Sequence, residues 1–302
     1  MATISAKDTM PVIRLTTRVF RPVPEVWEKL VDPLVMLQWL GNEISAEIRE
    51  GGTIRFLGEN APTTGEIGDT WTIKRVRKNQ ALLCSWPILG AETLFLMKMT
   101  PIAPGTHLEV RHGAIPVSAE PFHLPEHWMN LLANFRSVLE LGEPALRFNY
   151  RNYHPLRVTR YDSTDVRLSL LCRTPPSIPY DVFTNPDKLR HFIRAEKPIV
   201  DRRYGGIYTW WAEGKGPVVF TKLVPDKEIE FSWAYGDEPE TRVNIRFEQV
   251  EQSTLVSLHH YGFKDPERVV PYEIGWSSIL SQLKLVCELG ESAISVEYGG
   301  TI

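Results

Sequence analysis

The sequence predicts an α+β protein made of two tandem copies of one domain, each a curved antiparallel β-sheet wrapped around a long C-terminal helix. Three observations carry this prediction. The two halves of the 302-residue chain align with each other. The middle of each half alternates apolar and polar residues with period two, the pattern of strands with one dry and one wet face. Each half then closes with apolar positions at helical spacing, a broad stripe that must be buried against something.

The repeat is legible residue by residue. Ile13-Arg14-Leu15-Thr16 matches Val166-Arg167-Leu168-Ser169 at an offset of 153. At the same offset Trp27 meets Tyr180, Leu30 meets Phe183, Asp32-Pro33 meets Asn185-Pro186 and Trp39 meets Phe192. Gly51-Gly52 meets Gly205-Gly206, and Ser85-Trp86 meets Ser232-Trp233. From Glu92-Thr93 and Glu240-Thr241 onward the offset stays at 148, through His112 with His260, Trp128 with Trp276, and Glu140-Leu141-Gly142-Glu143 with Glu288-Leu289-Gly290-Glu291. A unit this long is a duplicated domain, since solenoid repeats run to only ~20–50 residues.

Each copy has the same order of elements. A strand opens it, over 13–20 and 166–173. A short helix follows, over 24–31 and 179–184, then a second after Asp32-Pro33 or Asn185-Pro186. Strands come next. Leu82, Cys84 and Trp86 share a face, as do Phe95, Met97 and Met99, and Leu108, Val110 and His112. Their counterparts are Ile229, Phe231 and Trp233, then Val243, Ile245 and Phe247, then Val256, Leu258 and His260. The closing helix carries Trp128, Leu131, Leu132, Phe135, Val138 and Leu139 in one copy, and Trp276, Ile279, Leu280, Leu283, Val286 and Cys287 in the other. Gly142 and Gly290 supply its stop. The domains are therefore expected over 13–143 and 166–291, with a linker at 144–165 and a tail at 292–302. The linker holds Arg147, Arg151, Arg157 and Arg160 with Phe148, Tyr150, Tyr153 and Tyr161, not the composition of a loose tether. It is expected to lie across both domains and help dock them.

This order of elements, with Trp27, Asp32-Pro33, Trp39, Gly51-Gly52, Ser85-Trp86, Trp128 and Leu141-Gly142 in one copy and Phe183-Thr184-Asn185-Pro186, Gly205-Gly206, Ser232-Trp233 and Gly275-Trp276 in the other, resembles the START/polyketide-cyclase (SRPBCC) superfamily. Its fold is the helix grip. Both copies are similar to the branch named after the activator of the heat-shock-protein-90 ATPase. The resemblance implies a cavity between sheet and helix. Members of the superfamily include lipid carriers, ligand sensors, cyclases, sequestering proteins and co-chaperone domains, so it implies a fold more sharply than a function. The first copy departs from the pattern with His127 before Trp128, where the family favours glycine. The Asn- and Trp-rich motif of the co-chaperone is absent, so activation of a chaperone ATPase is not implied.

Composition excludes other classes. Thirty-four basic and 37 acidic residues leave a net charge of −3, with neither half basic, so no nucleic-acid partner is expected. No apolar run reaches the length of a membrane span. The first residues lack a basic start followed by an apolar stretch, so no secretory signal is expected. Three cysteines, Cys84, Cys172 and Cys287, fit a reducing, cytoplasmic setting with free thiols, each standing where the other copy has an apolar residue.

Chemistry-bearing motifs are few. There is no phosphate loop, nucleophile elbow or Cys-x-x-Cys. Ser281 and Lys284 match a Ser-x-x-Lys pattern but fall on the closing helix, opposite Ala133 and Arg136 of the other copy. His123 and His127 are four apart, yet Pro125 is expected at the first helical position with His123 outside the helix, so no metal is expected. No cofactor is expected. His112 and His260 lie in phase with the apolar face. They are the candidate catalytic groups, or polar anchors for a ligand, or satisfied core histidines. No carboxylate in phase with them is visible in the strands, and Glu126 and Glu273, near the helix starts, are the reachable candidates to orient them. The expected ligand-binding set is Trp27, Trp39, Phe56, Trp86, Phe95, Met97, His112 and Trp128 in one copy, and Trp210, Phe231, Trp233, His260 and Trp276 in the other. The leading expectation is non-catalytic binding of a hydrophobic or aromatic small molecule between sheet and helix. The alternatives are a cyclase-, dehydratase- or hydrolase-type enzyme using a cavity histidine, and a protein-interaction module akin to the co-chaperone domains.

Overall fold

Proline, aspartate and glycine punctuate the chain where its elements end, and the structure, a computed structural model, follows them. It describes residues 9–57, 69–147, 164–193, 195, 197–211, 215–290 and 294–302. The chain divides into two units, Met1–Thr159 with Ile294–Ile302, and Arg160–Ala293.

The first unit runs β1 (Ile13–Val19), α1 (Val23–Val31), α2 (Pro33–Trp39), β2 (Glu43–Ala46), β3 (Thr53–Leu57), β4 (Asp69–Arg77), β5 (Ala81–Ile88), β6 (Ala91–Pro101), β7 (Thr106–Gly113) and α3 (Leu124–Leu141). Its strands pair antiparallel in the order β1-β7-β6-β5-β4-β3-β2. The second unit repeats the series: β8 (Asp165–Cys172), α4 (Ser177–Thr184), α5 (Pro186–Phe192), β9 (Ile199–Val200), β10 (Tyr208–Thr209), β11 (Lys215–Val224), β12 (Glu228–Tyr235), β13 (Thr241–Val250), β14 (Ser253–Tyr261) and α6 (Val269–Leu289). Here β11-β12-β13-β14-β8 form one sheet and β9 pairs with β10. Each domain is a helix grip, with α3 or α6 laid across the dry face of its sheet.

Local chemistry explains the shared motifs. The Asp32 carboxylate accepts from the Leu34 N–H at 2.9 Å, and the Asn185 side chain accepts from the Asp187 N–H at 3.0 Å, so both caps start a helix with proline at its first position. The paired glycines answer two demands. Gly51 and Gly205 have φ of 77° and 70°, and a Cβ on Gly52 or Gly206 would collide with the carbonyl oxygen of Glu47 or Asp201.

The closing helices bury the predicted stripe: Trp128, Leu131, Leu132 and Phe135 in α3, and Trp276, Leu280 and Leu283 in α6. Each such side chain contributes ~1.5–3 kcal/mol when fully buried. A buried ion pair anchors the last turn of each helix to the end of the first strand. Arg136 bonds Glu140 at 2.6 Å, and Glu140 accepts from the Phe20 N–H. Lys284 bonds Glu288 at 2.7 Å, and Glu288 accepts from the Arg173 N–H at 2.9 Å. Lys284 is thus committed to an anchor, and the Ser281 hydroxyl donates to the Ser278 carbonyl at 2.9 Å.

Several details differ from the sequence reading. Pro125 is the second helical residue, with Leu124 first and His123 before the helix in a left-handed conformation, φ 48°. Helix α4 begins at Ser177, ahead of Pro179. Residues 292–302, read as a tail, contain β15 (Ser295–Tyr298), which pairs antiparallel with β1 and adds an eighth strand to the first sheet. Edge strand β1 offers a row of backbone donors and acceptors, and β15 satisfies them. An ion pair from Arg14 to Glu297 at 2.8 Å supports the register. At the other end of the linker Leu146 is buried, with its N–H and carbonyl bonded to Asn134 at 2.9 and 3.0 Å. The arginines and aromatics on which linker docking was expected lie outside the described residues, Arg147 excepted.

Candidate functional site

The two sheets bring one histidine each to the same place. The register sets His112 between Ile13 of β1 and Phe95 of β6, and His260 between Val166 of β8 and Val243 of β13. Alternation turns both rings toward the closing helix, and both are fully buried.

Each ring is the middle of a hydrogen-bond chain. Trp128 Nε1 donates to His112 Nδ1 at 3.0 Å, and Trp276 Nε1 donates to His260 Nδ1 at 3.0 Å. The other nitrogen, Nε2, lies 2.7 Å from Thr93 Oγ1 in one domain and 2.7 Å from Thr241 Oγ1 in the other. The Thr93 hydroxyl donates onward to the Trp86 carbonyl at 2.6 Å, and Thr241 to the Trp233 carbonyl at 3.5 Å. An indole N–H only donates, so Nδ1 accepts and the ring proton sits on Nε2. A second proton on Nδ1 would face the indole N–H, donor against donor. Burial also pushes both histidines down, from 6.5 to about 3. The rings are neutral, in one tautomer, with both nitrogens engaged. Among the described residues the hydrogen-bond partners of each ring are a tryptophan and a threonine, not a carboxylate.

Aromatic rings surround each histidine. In the first domain Phe56, Trp71, Trp86, Phe95, His112 and Trp128 form one cluster, with Trp71–Phe95 at 4.7 Å, Phe95–Trp128 at 5.1 Å and Trp86–His112 at 5.6 Å between centroids. Trp39 stands apart from it and packs on Phe135 at 5.1 Å, while Trp27 and Met97 are buried in α1 and β6. In the second domain Trp210, Phe231, Trp233, His260 and Trp276 form the matching cluster, with Trp233–Trp276 at 5.3 Å and Trp233–His260 at 5.5 Å. All thirteen expected ligand-binding residues are buried and pack on their neighbours.

Open space lies in more than one place in the second domain: about 600 Å³ beside Ser177, Lys227 and Phe247, and a second space at the rim near His260. A cavity of about 530 Å³ in the second domain is lined by Tyr235, Gly236, Asp237, Glu238, Pro239 and Thr241 from the β12–β13 turn, and by Gly262, Phe263, Lys264, Asp265 and Arg268 from the β14–α6 connection. That volume suits a small molecule. Phe263 joins cavity to core, packing on His260 at 4.6 Å and on Tyr272 at 5.0 Å. The Tyr272 hydroxyl and Arg268 both donate to Glu238, at 2.9 and 2.7 Å. The equivalent of Phe263 in the first domain is Ile115. It is fully buried, and its carbonyl accepts from the Met10 N–H at 2.7 Å, so the chain's own segment covers that position.

Sequence reasoning singled out the histidines and tryptophans but omitted Thr93 and Thr241 from the site. The signal was available: Thr93 with Thr241, His112 with His260 and Trp128 with Trp276 all share the offset of 148. Phe263 and Tyr272 carried no comparable signal, since their importance comes from a turn that the first copy builds differently. The cysteines are free, with Cys84 and Cys172 buried and Cys287 partly exposed. Among the described residues no group of three or more His, Cys, Asp or Glu could hold a metal, and no helix is long and apolar enough to cross a membrane.

Fold and site together define a tandem helix-grip protein. The family model described as Activator of Hsp90 ATPase homolog 1-like protein matches residues 21–140 and 173–288, well over half of the chain, and the chain belongs to that family. Among solved structures it is similar to DynU16, from the dynemicin biosynthetic locus, at 21% identity over 90% of this chain and 97% of that one, with a TM-score of 0.37. It is also similar to CalU16 from Micromonospora echinospora, at 24% identity over 44% of this chain and 76% of that one, TM-score 0.37. The Aha1 dimer from Colwellia psychrerythraea is 17% identical over 44% of this chain and 98% of that one, TM-score 0.38. No curated protein matches the chain.

Proposed function

We propose that this protein is a non-catalytic binding protein for a hydrophobic or aromatic small molecule, with its site at the rim of the second domain. The observation that carries the reading is the 530 Å³ cavity whose floor, Phe263, packs on the buried His260. Tyr235, Pro239 and Phe263 offer apolar and aromatic surface, and Lys264 and Asp237 offer polar contacts at the edge. His260 packs on Phe263, Trp233 and Trp276 pack on His260, and Trp210 and Phe231 pack on Trp233 in turn. In the first domain Trp27, Trp39, Phe56, Trp86, Phe95, Met97, His112 and Trp128 serve as core. The reading is non-catalytic because an acid or base at pH 7 needs a nitrogen that can exchange its proton, and both nitrogens of each histidine are spoken for. Free thiols fit a cytoplasmic setting.

Titration with anilinonaphthalene sulfonate, an aromatic fluorescent probe, tests this. One probe should bind per chain, saturably. Tyr235→Ala, an exposed change at the rim, and Phe263→Ala, at the floor, should each weaken binding by roughly tenfold, the equivalent of ~1.4 kcal/mol. Non-saturating uptake, or saturation untouched by both changes, sinks the proposal.

A further inference from the structure

The two copies treat the outer face of their sheets differently at one point. In the first domain Glu109 of β7 stands opposite Thr16 of β1 and Lys98 of β6, and Arg111 stands opposite Arg14 of β1. Residues two apart on a strand point the same way, so these side chains share the face turned away from α3. Glu109 sits among cations: Arg111 donates to its Oε1, and Arg14 lies 3.3 Å from the same oxygen. Burial alone would push the Glu109 carboxyl up, but the bonds from Arg111 and Arg14 hold it below the usual carboxylate range. The second domain keeps this frame and lacks the carboxylate. At the repeat offsets Arg14 becomes Arg167, Thr16 becomes Ser169, Lys98 becomes Arg246, Arg111 becomes His259, and Glu109 becomes Ser257. The register is the same: Ser257 of β14 stands opposite Ser169 and Arg246, and His259 stands opposite Arg167 and Asn244. Where the carboxylate is missing there is a groove of about 340 Å³, lined by Arg167, Ser169, Asn244, Arg246, Ser257 and His259. One carboxylate has moved to the edge strand: Asp165, where the first copy has Val12, bonds Arg167 at 2.9 Å and His259 at 2.7 Å. Arg246 meets Glu228 only at 3.4 Å, since Glu228 is held closer by Lys222 at 2.7 Å and Asn244 at 2.8 Å. The Arg167 and Arg246 side chains are 68% and 69% exposed, so both reach solvent.

We propose that this groove binds the carboxylate of a small organic acid, held where Glu109 stands in the first domain. Glu109 is the internal stand-in for that ligand: it shows which group the frame accepts, and Ser257 leaves room for the same group to arrive from solution. Arg246 supplies a planar guanidinium fork, whose fixed donors match the two oxygens of a carboxylate. The Ser257 and Ser169 hydroxyls lie between the two arginines in the register and each can donate one further hydrogen bond. Arg167, already bonded to Asp165, adds charge at the other end of the groove and fixes the orientation of the acid more than its affinity. The groove opens to water, so screening keeps the binding weak, in the millimolar range. It lies on the outer face of the second sheet and shares no residue with the Phe263 rim, so the two sites stand or fall separately.

The test is a titration of the full isotope-labelled chain with sodium succinate, chloride being adjusted to keep the ionic strength constant, followed by backbone amide chemical shifts. Saturable shifts are expected at Ser169, Arg246, Ser257 and His259, with the equivalent first-domain positions Thr16, Lys98, Glu109 and Arg111 unmoved. Ser257→Glu imports the first domain's residue and fills the groove from within, so it should keep the fold and weaken succinate binding by at least about tenfold. Arg246→Gln, an exposed change, should weaken it by a similar factor while leaving the spectrum outside the groove unchanged. Inorganic phosphate at the same ionic strength should bind more weakly than succinate. Shifts that never saturate, shifts that survive both substitutions, equal shifts around Glu109, or phosphate binding tighter than succinate each overturn the proposal.

Discussion

At the scale of single residues, His112 and His260 contribute to the acid response of the protein. Each has an ordinary pKa of 6.5 and is pushed down to about 3 by burial. The unfolded chain takes up a proton on each ring as pH falls below 6.5, while the folded domain refuses it until about 3. Their neutral form is fully accommodated above 6.5, and stability is lost as pH falls through that window, by ~1.4 kcal/mol per pH unit for each histidine. His112→Phe leaves the Trp128 N–H without its acceptor, which costs ~1–3 kcal/mol at neutral pH. It also removes one of the two acid-linked losses. Urea unfolding at about pH 7.5 and about pH 5 should show a less stable variant with a smaller drop between the two conditions than the wild type. Equal drops would mean that the ring is not the proton-refusing group. The position of these histidines was legible from alternation; their bonding was not, because it depends on a threonine 19 residues away in one direction and a tryptophan 16 away in the other.

At the scale of elements, the closing helices carry the largest share of each core. Trp128 and Trp276 open the buried stripes and fasten them to the sheet through their indole N–H groups. Trp128→Ala and Trp276→Ala should each destabilise the affected domain by ~3–5 kcal/mol, since a large cavity and an unpaired imidazole nitrogen are left together. Chemical denaturation that finds either change nearly neutral would contradict this packing. Helix stripes, strand alternation and caps were readable because each is a local periodicity or a local bond. Strand β15 was not, since four residues, Ser295-Val296-Glu297-Tyr298, are too few to display a pattern.

At the scale of the whole molecule, the C-terminal segment belongs with the first unit although the second unit lies between them in sequence. Removing residues 294–302 should strip β15 from β1, lower the thermal midpoint of the first unit and expose an edge strand that promotes self-association. Thermal unfolding and size-exclusion chromatography of the truncated chain, beside the intact one, measure both effects. A truncated protein that stays monomeric with an unchanged midpoint would show that β15 adds nothing to the sheet.

Sequence alone determined the duplication, the order of elements, the helix-grip architecture and the dry face on which His112 and His260 lie. These follow from periodicity, from caps and glycine pairs, and from one copy checking the other. Only the tertiary structure decided that the histidines sit neutral in closed hydrogen-bond chains and that open space lies beside Phe263. Those are facts about which side chains fill the gap between sheet and helix, and filling depends on distances between segments that no local pattern records.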